Sequence, residues 1–298
     1  MSTEQFETGI RKTRGMAQRS LDLIDVMKAE AKAAKPITGR GVGYKLFVRG
    51  LIPSMGNADM QRVYRLLREA RERGIIPWSW IVDETRELER VATWDNPAEY
   101  AEATVRDYRR DYWNQQPVRV EVWSEKGTVR GVLAPVLNDY AVGFRVAHGF
   151  GSATMTHDAS TDDDGRPLII LYVGDWDPSG LCMSEHDLPR RFEKYGGDHI
   201  DPRRIALTEK HLASLPSFPA AEKKSDPRYK WFVQNYGTEC WELDALDPNK
   251  LRTLVKDAIR KEVDWDAWER CGIVEDAERD SIEEVLRGWV RGRKGKRI

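Results

Sequence analysis

The chain has 298 residues, with 48 lysines and arginines against 49 aspartates and glutamates and a formal net charge of −1, so it is no bulk polycation. At 40% hydrophobic and 33% charged it has the apolar content for about two ordinary domains. No apolar run approaches the ~18 residues that cross a bilayer, MSTEQFETGIRKTRG lacks a signal peptide's apolar stretch, and three cysteines without a CxxC argue against a zinc or disulfide framework; a cytoplasmic protein away from membranes is expected.

Residues 16–35 are helical in pattern, with Leu21, Ile24, Met27 and Ala31 at helical spacing and Pro36 closing the run. Thr38-Gly39-Arg40-Gly41 reads as a break. A second helix covers 42–51, and a third, capped by Asn57 or Asp59, runs to Arg73 and stops at Gly74. Ile75-Ile76-Pro77-Trp78 and Ile81-Val82-Asp83 look extended. Three short helices followed by extended segments form the pattern of a winged helix-turn-helix. Residues 98–114 form a further helix that links this unit to the next.

From Pro117 the rhythm changes. Val118, Val120 and Val122 alternate with Arg119, Glu121 and Trp123, the period of a strand. A helix over 128–140, a strand over 144–147 and a short helix over 152–159 follow. Residues 167–173 are a continuous apolar run, as expected of a strand covered on both faces of a parallel sheet. Residues 181–195 return to helix, with Pro189 as a kink or a new first turn, and 204–208 read as a further strand. This alternation predicts an α/β sheet. The remainder is helical and tryptophan-rich. It ends in a basic tail, where Arg287, Arg291, Arg293, Lys294, Lys296 and Arg297 fall within the last fourteen residues without an acid. Subtracting those six charges from −1 leaves about −7 for the rest, so a concentrated acid cluster is worth seeking.

The best strand runs directly into Gly174-Asp175-Trp176-Asp177-Pro178-Ser179-Gly180 and then into a helix. Ligands of α/β sheets gather at strand carboxyl ends. Two carboxylates two residues apart point the same way in extended backbone, and a hard divalent cation relieves their repulsion. The same residues also read as a polar turn with an aspartate helix cap. Ser124-Glu125-Lys126-Gly127 follows the first strand. If the two strands are central and parallel, Glu125, Asp175 and Asp177 face one crevice and make a Mg²⁺ site suited to phosphoryl chemistry. The five histidines show no HxxxH or HExxH spacing and read as surface or capping residues.

A glutamate after one strand and a DxD after a later one resemble a Toprim domain. Ser-Glu-Lys-Gly with Gly-Asp-Trp-Asp-Pro-Ser-Gly is most similar to the topoisomerase VI A subunit and its relative that makes meiotic double-strand breaks. Upstream, Arg40-Gly41-Val42-Gly43-Tyr44 matches that family's arginine-to-tyrosine spacing, with glycine at position 43 where the family often has an aromatic. The resemblance covers roughly residues 40–208, and less surely 241–246. It implies that residues 36–115 are a mostly helical winged-helix domain bearing the tyrosine and 116–215 a Toprim domain with a Rossmann-like parallel sheet; the residue pattern alone gives 1–35 as an N-terminal helix and 216–298 as a helical extension with the basic tail. It further implies a topoisomerase VI A-like DNA-cleaving enzyme of the type IIB class. Tyr44 would be its nucleophile, Arg40 the aid to the phenolate and phosphate, and Glu125, Asp175 and Asp177 the Mg²⁺ ligands.

The expected partner is double-stranded DNA, met by a homodimer whose composite sites join the tyrosine of one protomer to the metal site of the other. The chain has no GxxxxGK[ST], so strand passage would need a separate ATPase subunit. Arg62, Arg65, Arg68 and Arg71 recur every third residue on the third helix. The first three, with Lys126, are the expected phosphate contacts; Glu69 and Glu72 among them also fit a salt-bridged solvent face. Two alternatives stay open, a Toprim nuclease that hydrolyses DNA with metal-activated water and a non-catalytic DNA-binding subunit.

Overall fold

Thr38 decides where the second helix begins. Its side chain accepts a hydrogen bond from the Gly41 backbone N–H at 2.9 Å, an N-cap that makes Gly39-Arg40-Gly41 the first helical turn rather than a break. The structure is a computed structural model that describes residues 18–82, 92–147 and 153–293. Its first unit comprises α1 (Gln18–Ala34), β1 (Ile37–Thr38), α2 (Gly39–Val48), α3 (Asn57–Glu72) and β2 (Ile81–Val82). Ile24, Met27, Val42, Leu46, Val63 and Leu67 share its core. Gly43 lets α2 lie close on α3, since a Cβ there would fall 2.6 Å from the Met60 sulfur. An aromatic at that position would first have to move the Met60 thioether.

The extended segments after α3 are shorter than expected. Residues 78–80 form a 3-10 turn. Only Ile81–Val82 pairs, and it pairs in parallel with Ile37–Thr38. Among the described residues there is no antiparallel wing, and Asp83 lies outside them. Three helices therefore stand, but the winged-helix form of this unit is not shown.

α4 (Pro97–Asp107) ends earlier than its pattern suggested, because the chain at Tyr108 turns extended and its hydroxyl donates to Glu278 at 2.6 Å. The second unit then follows the predicted alternation: β3 (Arg119–Ser124), α5 (Thr128–Tyr140), β4 (Gly143–Val146), α6 (Ala153–Thr161), β5 (Leu168–Val173), α7 (Pro178–Cys182), a π-helical turn, α8 (Leu188–Lys194) and β6 (Ile200–Ala206). Pro189 sits in the first turn of α8. All strands are parallel, in the order β4-β3-β5-β6. Every residue of β5 is buried, as an apolar run in a covered strand requires. β6 starts at Ile200 instead of Arg204. As an edge strand it accommodates Asp201, Pro202 and Arg203, which hid its start.

The remaining elements are α9 (Glu209–Leu212), β7 (Phe218–Pro219), α10 (Tyr229–Tyr236), β8 (Glu239–Cys240), α11 (Pro248–Glu262) and α12 (Trp265–Arg293). His211 caps α9 in a reciprocal box with Thr208. Ala220, Phe232, Cys240, Val255 and Ile259 join Val122 and Leu171 in the sheet's own core. No described helix is long and apolar enough to cross a membrane.

Candidate functional site

The chain enters the sheet at β3, leaves to one side through β4, and returns to the other through β5. The carboxyl ends of β3 and β5 thus flank the point where strand order reverses, and Ser124 is in register with Val173. Glu125 and the Asp175–Asp177 loop emerge there side by side. Arg204 of β6 ties that loop down from behind. Its guanidinium donates to the carbonyls of Gly174 at 3.0 Å, Gly180 at 3.0 Å, Leu207 at 2.7 Å and Asp175, and to Ser184 Oγ at 2.7 Å. Gly180 is required by the same loop, because a Cβ there would lie 2.4 Å from the Asp175 carbonyl oxygen. An antiparallel bridge between Trp176 and Trp241 brings a further segment alongside, with backbone bonds of 2.8 and 2.9 Å. It delivers Glu242, the Leu243 N–H and Asp244.

The three carboxylates have different surroundings. Asp175 accepts from the Leu243 N–H at 2.7 Å and pairs with Lys126 Nζ at 2.8 Å. Asp177 does cap a helix, as the alternative reading had it: Oδ1 accepts from the Gly180 N–H at 2.7 Å, while Oδ2 lies 3.2 Å from Lys223 Nζ. Glu125 makes no hydrogen bond or ion pair among the described residues. Burial, then the charges of Asp175 and Asp177, push its carboxyl up to about 7.

Lys126 does not reach outward as a free phosphate contact; it is held between Asp175 and Asp244, the latter at 3.1 Å. Among the described residues no three acidic, histidine or cysteine side chains close on one point, since lysine ammonium groups stand between the carboxylates. The donor set is nonetheless all hard oxygen, which fits a hard divalent cation.

An ionisable Glu125 has a consequence for stability. A glutamate of the unfolded chain titrates near 4.5, whereas folded Glu125 keeps its proton up to about 7. Its contribution is therefore fully present below about pH 4.5 and lost as pH rises through 7, a loss of roughly 3 kcal/mol. Glu125→Gln, compared with wild type by denaturant melts in EDTA, is expected to stabilise by about 2–3 kcal/mol at pH 8 and to change little near pH 4.5. An equal effect at both values would show Glu125 to be an ordinary turn residue.

Tyr44 reaches this site from α2 of the same chain. It is buried, at 5% exposure. Burial and then the Glu242 carboxylate push its phenol above the ordinary tyrosine range, while Arg40 and Lys126 pull it back and Asp175 adds to the rise. The phenol thus feels Asp175 of its own chain. Arg40 lies 5.9 Å from the Tyr44 ring centroid and grips Glu242 through both of its arms, one at 2.6 Å. Thr38 donates to Asp244 at 2.6 Å, and Lys45 pairs with Asp247. One six-residue stretch, 242–247, therefore receives three side chains from residues 38–45.

Beside these contacts lies a cleft of about 430 Å³ between the two units, lined by Thr38, Arg40, Tyr64, Arg71, Lys126 and Asp244. A second hollow of about 620 Å³ runs along α3 over Arg62, Arg65 and Arg68, and shares Tyr64 and Arg71 with the first. Met60, Val63, Leu66, Leu67 and Ala70 face inward, so the arginine face is turned away from the core. Arg68 and Glu72 are only loosely paired, at 3.8 Å and mostly exposed.

Sequence reading brought Tyr44, Arg40, Glu125, Asp175 and Asp177 to one neighbourhood. It missed Arg204, Glu242, Asp244 and Lys223. For Arg204 a signal existed, a charged residue inside a predicted strand, and for Glu242 and Asp244 the acid-bearing 241–246 stretch. Lys223 offered none. No protein family, curated protein or solved structure matches the chain.

Proposed function

We propose that this protein is a topoisomerase VI A-like enzyme that cleaves double-stranded DNA through Tyr44. The observation that carries the reading is that the Glu125–Asp175–Asp177 carboxylates gather at the sheet's switch point, with Tyr44 close enough to feel the charge of Asp175 and with a cleft at Arg40 and Lys126 that shares Tyr64 and Arg71 with the arginine-lined hollow of α3. Arg62, Arg65 and Arg68 would hold backbone phosphates without reading bases. Arg40 would turn from Glu242 to the scissile phosphate, and Glu242, the strongest charge on the phenol, would take its proton. Tyr44 Oη then bonds to phosphorus, and the bond to the leaving sugar oxygen breaks, that oxygen being protonated from solvent. Glu125, Asp175 and Asp177 would hold Mg²⁺, which supplies orientation and charge neutralisation at the phosphate. Helices α1–α3 would serve as the DNA-binding, winged-helix-like unit. A homodimer would set two such sites along one duplex, with an ATPase partner needed for strand passage.

Hydrolysis without a tyrosyl link is the second reading. The burial of Tyr44 and the upward push on its phenol favour it. The test is incubation with supercoiled DNA and Mg²⁺, followed by detergent and protease. Nicked or linear product appearing only after detergent supports the covalent route; product present without detergent supports hydrolysis; no product under any condition defeats both.

A further inference from the structure

We infer that Lys223 is a resident counter-ion of the acid site, which a divalent cation must displace from Asp177 and which is then released towards DNA phosphate. The inference rests on the proposed metal-binding role of the carboxylates and adds to it a residue outside the stretch that resembles any family.

Asp177 has two carboxylate oxygens with different fates. Oδ1 is committed to the Gly180 N–H that starts α7 and cannot leave without undoing the loop. Oδ2 has no such commitment to the backbone, and Lys223 Nζ lies 3.2 Å from it. The two lysines of the site differ in the same way. Lys126 is 25% exposed and fixed by two acids, Asp175 and Asp244. Lys223 is 42% exposed, pairs with Asp177 alone, and extends from a 3-10 turn held in place by the Ala220 N–H to Thr238 carbonyl bond of 2.8 Å. Its stem can swing to solvent without disturbing that anchor. A doubly charged ion close to Asp177 repels the ammonium and competes with it for the carboxylate's charge. Displaced, the ammonium stays on the rim of the site, where a phosphate oxygen can replace the carboxylate.

The experiment uses the full chain without DNA and follows Mn²⁺ binding by calorimetry for wild type, Lys223→Met and Asp177→Asn. Lys223→Met keeps the apolar stem and is expected to bind Mn²⁺ about two- to fivefold more tightly, the scale of a part-exposed ion pair. Asp177→Asn is expected to bind more weakly than wild type. In wild type, acetylation of Lys223 read by peptide mass is expected to quicken at saturating Mn²⁺, while that of Lys126 is unchanged. The labelling decides the matter should Lys223→Met fail to fold. Equal Mn²⁺ affinity in wild type and Lys223→Met, or Lys223 labelling unmoved by bound Mn²⁺, would overturn this inference and leave the metal site standing. Absence of Mn²⁺ binding in wild type and Lys223→Met alike would remove both.

Discussion

Tyr44→Phe is expected to abolish the detergent-stable protein–DNA adduct while leaving folding and DNA affinity close to wild type. The substitution removes one oxygen and keeps the ring that packs in α2. That hydroxyl makes no hydrogen bond among the described residues, so no buried partner is orphaned, and the change in stability should stay within about 1 kcal/mol. Arg40 remains bound to Glu242 in the variant, because that pair does not pass through the phenol. The arginines of α3 are likewise untouched, so filter binding of a labelled duplex should not change. What is lost is the hydroxyl proposed to carry the phosphoryl bond, so the adduct should fall below detection rather than by a fraction. Labelled DNA retained on protein through denaturing gels measures this. An adduct that persists would move the nucleophile elsewhere. Cleavage that persists without an adduct would establish the hydrolytic reading, with Tyr44 then a core residue of α2.

The sequence made the sheet legible because its signals were local. An alternating run marked β3, a solid apolar run marked β5, and turns between them bounded the helices. The acids could be placed for the same reason: each directly follows a strand, and parallel strands deliver their ends to one edge. What stayed hidden depends on distant partners. Thr38 becomes a helix start only through its own side chain, and its second bond reaches Asp244, more than two hundred residues away. Arg204 looked like one more residue of a strand, yet its value lies in four carbonyls on other elements. β6 began unseen because an edge strand tolerates the polar residues and proline that normally end one. The expected wing is not shown for a different reason. Extended propensity at 75–78 and 81–83 says nothing about pairing direction, and the pairing found is parallel, with β1. Periodicity also could not separate the two roles of Asp177, helix cap and site carboxylate, since one side chain carries both.

Arg204→Lys is expected to be the most damaging conservative substitution in the chain. The guanidinium is buried and faces no carboxylate at ion-pair distance among the described residues; its hydrogens go to carbonyls of Gly174, Asp175, Gly180 and Leu207 and to Ser184 Oγ. A lysine has three donors at one point and cannot span that fork; the Gly174 and Gly180 carbonyls keep the Leu207 and Met183 N–H groups, but those of Asp175 and Leu207 lose their guanidinium partner at roughly 1–3 kcal/mol each. Thermal or denaturant melts should therefore show a loss of about 2–5 kcal/mol. Gly180→Ala attacks the same loop from the opposite side. Its Cβ meets a backbone oxygen that no rotamer change can move, so the loop must open and Asp177 must leave its cap. The two lesions act on one structure, and the double variant should lose less than the sum of the singles. Arg204 also has an electrostatic role, because its charge lies behind the carboxylates and lowers Glu125 against the push of Asp175 and Asp177. In Arg204→Met, provided enough folded protein remains, the Glu125 carboxyl should titrate above its value of about 7, readable by carbon NMR of labelled glutamate. Melts of Arg204→Lys indistinguishable from wild type would mean that the loop holds itself, and that the guanidinium merely fills space beneath it.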